Sequence, residues 1–187
     1  MTARFNTKAL ASVGLAIALS VGAVSAMAQV TVGGATMYPT KDIIDNAVNS
    51  KDHTTLVAAV KAAGLVETLK GPGPFTVFAP TNAAFAALPA GTVDTLLKPE
   101  NKATLSGILT YHVVAGKFDA AALTKQIADG KGTAMIKTVN GGMLTAKASG
   151  KTIALTDEKG GTSTVTIADV TQSNGVIHVV DKVLLPK

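Results

Sequence analysis

The spacing of apolar residues changes at Gly130, and no other feature limits the fold of this chain as strongly. Before it, apolar side chains recur every three or four residues. Ile43, Ile44, Ala47 and Val48 predict a helix, with Thr40 as its cap and Asp42 and Asp45 near its positive end. Leu56, Val57 and Val60 predict a second helix, closed by Gly64. A third carries Ala84, Phe85 and Leu88 after a cap at Thr81 or Asn82. Thr92 caps Val93 to Leu97, and Pro99 opens the first turn of a helix in which Leu105, Ile108, Leu109 and His112 share one stripe. Asp119 caps the last helix, which bears Leu123 and Ile127. After Gly130, β-branched runs alternate with turn signals: Met135 to Val139, Met143 to Ala148, Thr152 to Thr156, Thr164 to Val170 and Val176 to Val180. Asn140-Gly141-Gly142, Ser149-Gly150, Lys159-Gly160-Gly161 and Asn174-Gly175 separate them. One earlier strand, Phe75 to Ala79, follows the Gly71-Pro72-Gly73-Pro74 loop. Helices first and antiparallel strands later predict an α+β fold rather than a doubly wound parallel sheet. No internal repeat is visible, so a single domain is expected.

Residues 1–28 have a different character. Arg4 and Lys8 precede an uncharged apolar run, Ala9 to Val24, and Ala26-Met27-Ala28 has the small-x-small form of a signal-peptidase site. We read this as a cleavable secretory signal, cut before Gln29, and expect a periplasmic or secreted protein. Residues 29–37 then form an exposed lead-in and residues 38–187 the domain. No second apolar span predicts a membrane anchor.

Loss of the signal removes Arg4, the chain's one arginine, together with Lys8, so the formal net charge falls from +5 to +3. Without arginine there is no bidentate reader of phosphate or base edges, and aromatic residues are few, so nucleic acid is not an expected partner. The remaining lysines are scattered and read as a solvated surface drawn to acidic polysaccharide or an anionic cell surface. The absence of cysteine excludes disulfides, thiolate metal sites and a catalytic thiol.

Candidate catalytic groups are sparse. His53, His112 and His178 lack metal-ligand spacing, and two of them sit within apolar patterns, so structural roles are expected and no metal or cofactor is predicted. No G-x-S-x-G elbow, S-x-x-K or phosphate-binding glycine loop occurs. Asp157-Glu158 reads as a solvated hairpin tip rather than an acid/base pair.

Three segments exceed what a core requires. Phe75-Thr76-Val77-Phe78-Ala79-Pro80-Thr81-Asn82-Ala83-Ala84-Phe85 resembles the first signature of fasciclin-like (FAS1) domains. Tyr111-His112 resembles the family's central pair. Asn174-Gly175-Val176-Ile177-His178-Val179-Val180-Asp181, closing in Leu184-Leu185-Pro186, resembles the second signature. The resemblance implies a β-wedge of two sheets with helices packed around it. It also implies an extracellular, non-enzymatic adhesion module whose partner is a cell-surface or matrix protein or polysaccharide. The positions matching the family's attributed binding residues are Tyr111, His112, Asp169 and Val170. The signature residues Thr76, Val77, Phe78, Ala79, Pro80, Thr81, Asn82, Phe85 and Asn174 through Asp181 read as fold-specifying. A periplasmic binder of a small apolar ligand or polysaccharide is the alternative, and a hydrolase using His112 or His178 is a third reading. The residues point to no particular oligomeric state.

Overall fold

The computed structural model describes residues 29–187, so the signal-peptide reading of residues 1–28 lies outside the described residues. Nine strands and seven α-helices follow in this order. A hairpin of β1 (Val30–Val32) and β2 (Ala35–Met37) comes first. Helices α1 (Ile43–Ala47), α2 (Thr54–Ala63) and α3 (Val66–Lys70) lead to strand β3 (Phe75–Pro80). Helices α4 (Asn82–Ala86), α5 (Thr92–Leu96) and α6 (Lys102–Tyr111) lead to β4 (Val113–Ala115) and then α7 (Ala120–Asp129). Strands β5 (Thr133–Lys137), β6 (Met143–Ser149), β7 (Thr152–Thr156), β8 (Thr162–Gln172) and β9 (Gly175–Val180) complete the chain.

The main sheet runs β4-β3-β9-β8-β7-β6-β5. Every neighbouring pair is antiparallel except β3 and β9, which run parallel with Phe75 opposite Gly175 and Pro80 opposite Val180. The long strand β8 belongs to both limbs. Its pairing with β9 slips between Val165 and Ile167 and again between Ile167 and Val170, and such bulges bend a strand. The main sheet is therefore one continuous seven-stranded ribbon with its bulges in β8, and with the seven α-helices it makes the fold α+β, as expected.

Period two on the strands divides the interior into two cores. Val77 and Ala79 of β3, with Ile177 and Val179 of β9, face α1, α2, α4 and α6. Phe78 and Val180 face the other way, toward α7 and the inner side of β5 to β7, with Leu123, Ile127, Leu144 and Leu155. Phe75 and Val77 thus face one way and Phe78 the other.

Several local expectations are corrected. Residues 29–37 are not an exposed lead-in: Gly33, at φ +58, closes the β1–β2 hairpin and lets Val32 and Met37 enter the first core. A Cβ at Gly33 would lie 2.5 Å from Ser50 Oγ, so only glycine fits that turn. Asp42 rather than Thr40 caps α1, accepting from Asp45 N at 2.8 Å. Gly91 occupies the N-cap of α5, and Thr92 lies inside the helix. His112 ends α6, and β4 follows at once without a breaker. Thr81 and Asp119 cap α4 and α7 as expected.

Candidate functional site

The signature residues are mostly linkers between elements. Thr76 Oγ1 donates to Gly116 O at 2.7 Å and accepts from Phe118 N at 2.8 Å, fixing the chain after β4. Thr81 Oγ1 caps α4 at Ala84 N. Asn82 reaches across to α2: its Oδ1 accepts from Thr55 N at 3.0 Å and its Nδ2 donates to Lys51 O at 2.8 Å. Asn174 does the same for α1 and α3, accepting from Ile43 N and donating to Leu69 O and Gly71 O. Of these groups Thr55 N, Ile43 N and Leu69 O are helix-terminal and have no partner inside their own helices. Gly175 has its own reason: a Cβ there would stand 2.0 Å from Phe75 O, so the start of the parallel pairing admits no side chain. Phe85 packs in the first core. Asp181 Oδ1 accepts from Thr164 N at 2.7 Å and from Ser163 Oγ at 3.1 Å, tying the end of β9 to β8.

The three histidines are all buried. His112 Nδ1 lies 2.8 Å from Ile108 O, and its Nε2 accepts from Leu184 N at 2.9 Å. A carbonyl only accepts, so Nδ1 carries the proton and the ring is neutral. Burial lowers its pKa to about 4, against smaller opposing pulls from the Ile108 carbonyl and Asp157. His178 has the other tautomer. Its Nε2 donates to Phe118 O at 2.7 Å, while Nδ1 accepts from Asp169 N at 3.3 Å. Burial lowers its pKa too, and its ring stacks on Phe78 with centroids 5.7 Å apart. In both rings each nitrogen already has a protein partner, so neither has a free nitrogen to take a substrate proton. His53 Nδ1 meets Ser50 Oγ at 2.9 Å, and its buried Nε2 has no hydrogen-bond partner. No cluster of three or more His, Asp or Glu side chains able to hold a metal occurs among the described residues.

The family-matched binding positions do not form one exposed patch. Tyr111 is fully buried. Its hydroxyl donates to Met143 O at 2.9 Å and accepts from Glu158 N at 3.1 Å. Burial first, and then the nearby carboxylates of Glu158 and Asp157, push its pKa up to about 12. His112 and Val170 are also buried. Asp169 is exposed. It sits in the left-handed region at φ +58, and its Oδ1 accepts from Ala120 N at 2.6 Å, adding a second carboxylate to the α7 N-terminus beside Asp119. A surface groove of about 380 Å³ runs beside Asp169, between β8 and the first hairpin, with Val30, Met37, Pro39 and Thr171 on its walls. A separate, almost wholly apolar cavity of about 60 Å³ lies in the first core beside Met37, Ile44, Leu56, Val60 and His53.

Asp157 is not a solvated turn residue. It is buried, with Oδ1 accepting from Lys159 N and Gly161 N and Oδ2 accepting from Leu185 N at 3.0 Å. Glu158 Oε1 accepts from Met143 N at 3.0 Å. The Asp-x-x-Gly-Gly pattern carried a signal for the first two bonds, but nothing in the sequence pointed to Leu185.

Comparison with known proteins adds to this geometry. The fasciclin domain model matches residues 51–186. Protein sll1483 of Synechocystis is 52% identical over 144 residues, covering 77% of this chain and 73% of that protein. The immunogenic protein MPB70 of Mycobacterium bovis is 38% identical over 145 residues, covering 75% of this chain and 66% of that one. Human periostin is 31% identical over 146 residues, covering 78% of this chain and 16% of its own length. Among solved structures, a FAS1 domain pair from the insect cell adhesion molecule fasciclin I superposes with a TM-score of 0.57 at 20% identity. That match covers 75% of this chain, which spans 45% of the pair.

Proposed function

The chain belongs to the fasciclin domain family, and we propose that it is an exported, non-enzymatic adhesion module that binds a cell-envelope or matrix component. The observation that carries this reading is the family match over residues 51–186, together with a solved neighbour that is itself a cell adhesion molecule. Two further features support it. No helix among the described residues is long and apolar enough to cross a membrane. The nitrogens of His112 and His178 are all occupied by internal hydrogen bonds, which leaves neither ring free to serve as the base of a hydrolase.

Within this reading Asp169 is the contact residue among the family-matched positions, because it is exposed beside an open groove. Buried Val170 lines the same groove, whereas Tyr111 and His112 are bonded elsewhere in the fold. The test has two arms. Cells lacking the gene should lose surface attachment or aggregation, and the purified protein should be retained by fractionated envelope or matrix. Asp169→Asn keeps the side-chain size and the left-handed backbone that Asn tolerates, and it removes the charge. We expect retention to fall several-fold in this variant while its melting temperature stays close to that of the native protein. Unchanged attachment together with no retained component would overturn the reading.

A second reading rests on the apolar cavity in the first core, which suits a small apolar ligand. Thermal stabilisation by one member of a hydrophobic ligand panel would support it, since binding to the folded state raises apparent stability.

A further inference from the structure

The net positive charge is confined to one half of the molecule. Residues 29–112 carry six lysines and six carboxylates, and residues 113–187 carry nine lysines and six carboxylates. The whole +3 therefore belongs to the half that contains α7 and β4 to β9.

The side-chain geometry sharpens this imbalance. Five of the six carboxylates in that half accept hydrogen bonds from backbone N–H groups: Asp119 from Ala122, Asp157 from Gly161 and Leu185, Glu158 from Met143, Asp169 from Ala120 and Asp181 from Thr164. Among the described residues the lysine–carboxylate pairs within 4 Å are Lys70 with Asp42 and Asp45, and Lys98 with Glu100, all in the other half. Five of the six carboxylates of the basic half serve the fold, and its nine lysines are all exposed with no carboxylate within 4 Å among the described residues.

Five of these lysines frame the outer side of the β5–β7 limb. Lys137 and Lys147 project from β5 and β6 in phase with exposed Met135, on the side opposite buried Ala134, Ile136, Leu144 and Ala146. Lys131 and Lys151 flank one end of this face, and Lys159 lies in the turn at the other. Register places Met135, Thr145, Thr156 and Thr162 in one row across it, so hydroxyls lie between the charges.

We propose that this outer face binds a polyanionic polysaccharide, an extended chain of sugar carboxylates. The inference rests on the adhesion reading and gives that reading a partner class. Lysine point charges with threonine hydroxyls between them suit repeating carboxylates and sugar hydroxyls. The half from residue 113 onward contains no arginine, tyrosine or tryptophan, which argues against nucleic acid. Met135 is the one large apolar side chain exposed on the face, so a lipid surface would find little to anchor in it.

The probe is alginate immobilised at low salt, with neutral dextran and phosphatidylserine vesicles as alternatives. The native protein should bind alginate, release it as salt rises through the physiological range, and ignore dextran. A variant with Lys137, Lys147, Lys151 and Lys159 changed to Gln should lose at least tenfold in affinity. A charge-matched variant with Lys51, Lys61, Lys98 and Lys102 changed to Gln should lose less than threefold. Circular dichroism of both variants establishes that they fold. Equal losses in the two variants would overturn the proposal, because net charge and not this face would be responsible. Binding to the vesicles in preference to alginate, or no binding to alginate at all, would overturn it as well. Either failure leaves the adhesion reading standing with a protein partner at the Asp169 groove, whereas failure of the attachment assay removes adhesion itself.

Discussion

Under α1 and α2, the first core encloses a cavity of about 60 Å³ and a histidine nitrogen without a partner. The second core, between α7 and the inner side of β5 to β7, has Phe78, Tyr111, Leu123, Leu144 and Leu155 at essentially zero exposure, and both polar atoms of His178 and the Tyr111 hydroxyl are paired. Both cores draw on the same two central strands, one from each face. The contrast follows from what covers each face. Five separate helices of five to ten residues, α1, α2, α3, α4 and α6, meet over the first, while one ten-residue helix and a continuous hairpin ribbon close the second. Interiors near crystal density tolerate little change, whereas a hollow leaves room for repacking.

Four experiments would break or sharpen that contrast. Tyr111→Ala should have the largest effect, about 3–5 kcal/mol of lost stability in denaturant unfolding, because it empties a fully buried aromatic site and strands Met143 O and Glu158 N. A loss below 1 kcal/mol would mean that the second core collapses easily and is not tightly packed.

Acid comes next. His112 has a folded pKa of about 4 against about 6.5 unfolded, so the unfolded chain binds more protons between those values. Stability should be full above about pH 6.5, fall as pH drops toward 4 by about 3 kcal/mol from this group, and then level off. His53 and His178 are lowered in the same direction and add to the loss. Replacing His112 with Gln should flatten much of the slope in a melting-temperature series. A slope unchanged by that substitution would show that His112 is not the group responsible.

A matched pair of enlargements is smaller in effect but more direct. Ala146→Val adds volume to the closed core and should cost about 1–3 kcal/mol. Val60→Ile adds one methylene beside the cavity and should cost less than about 0.5 kcal/mol or stabilise slightly. Equal costs would remove the distinction between the cores.

Among the losses the smallest outright one is at Asp119, where Asp119→Ala removes one cap of α7 and should cost about 1 kcal/mol, above only the near-neutral Val60→Ile. Asp169 still holds Ala120 N in that variant, so a much larger loss would mean that the two carboxylates act as one unit.

Much of this was legible in the residues. The switch of period at Gly130 marked the α+β order, but the division of the interior into two cores was not read from the residues. Strand β4 was hidden because Val113-Val114 follows a helix with no breaker between them, and only pairing with β3 makes the segment extended. The first hairpin did leave a mark, Gly33-Gly34 between short apolar alternations, but its burial depends on α1 and β8 closing over it. The candidate site was the least legible part. Apart from Ile108, four residues back, the side-chain partners of Tyr111-His112 are distant in sequence, with Met143, Glu158 and Leu184 at separations of 32, 47 and 72 residues. The charge asymmetry could be counted from the sequence, but the hydrogen bonding of its carboxylates to backbone N–H groups could not.

Strand β9 stands between β3 and β8, and it is the last strand in chain order among the described residues. Without residues 175–180, β3 has no parallel neighbour and the two limbs have no common seam. Six residues are thus the keystone of the sheet, and a variant without them would keep the sequence of every helix and hairpin but lack the strand that joins the limbs.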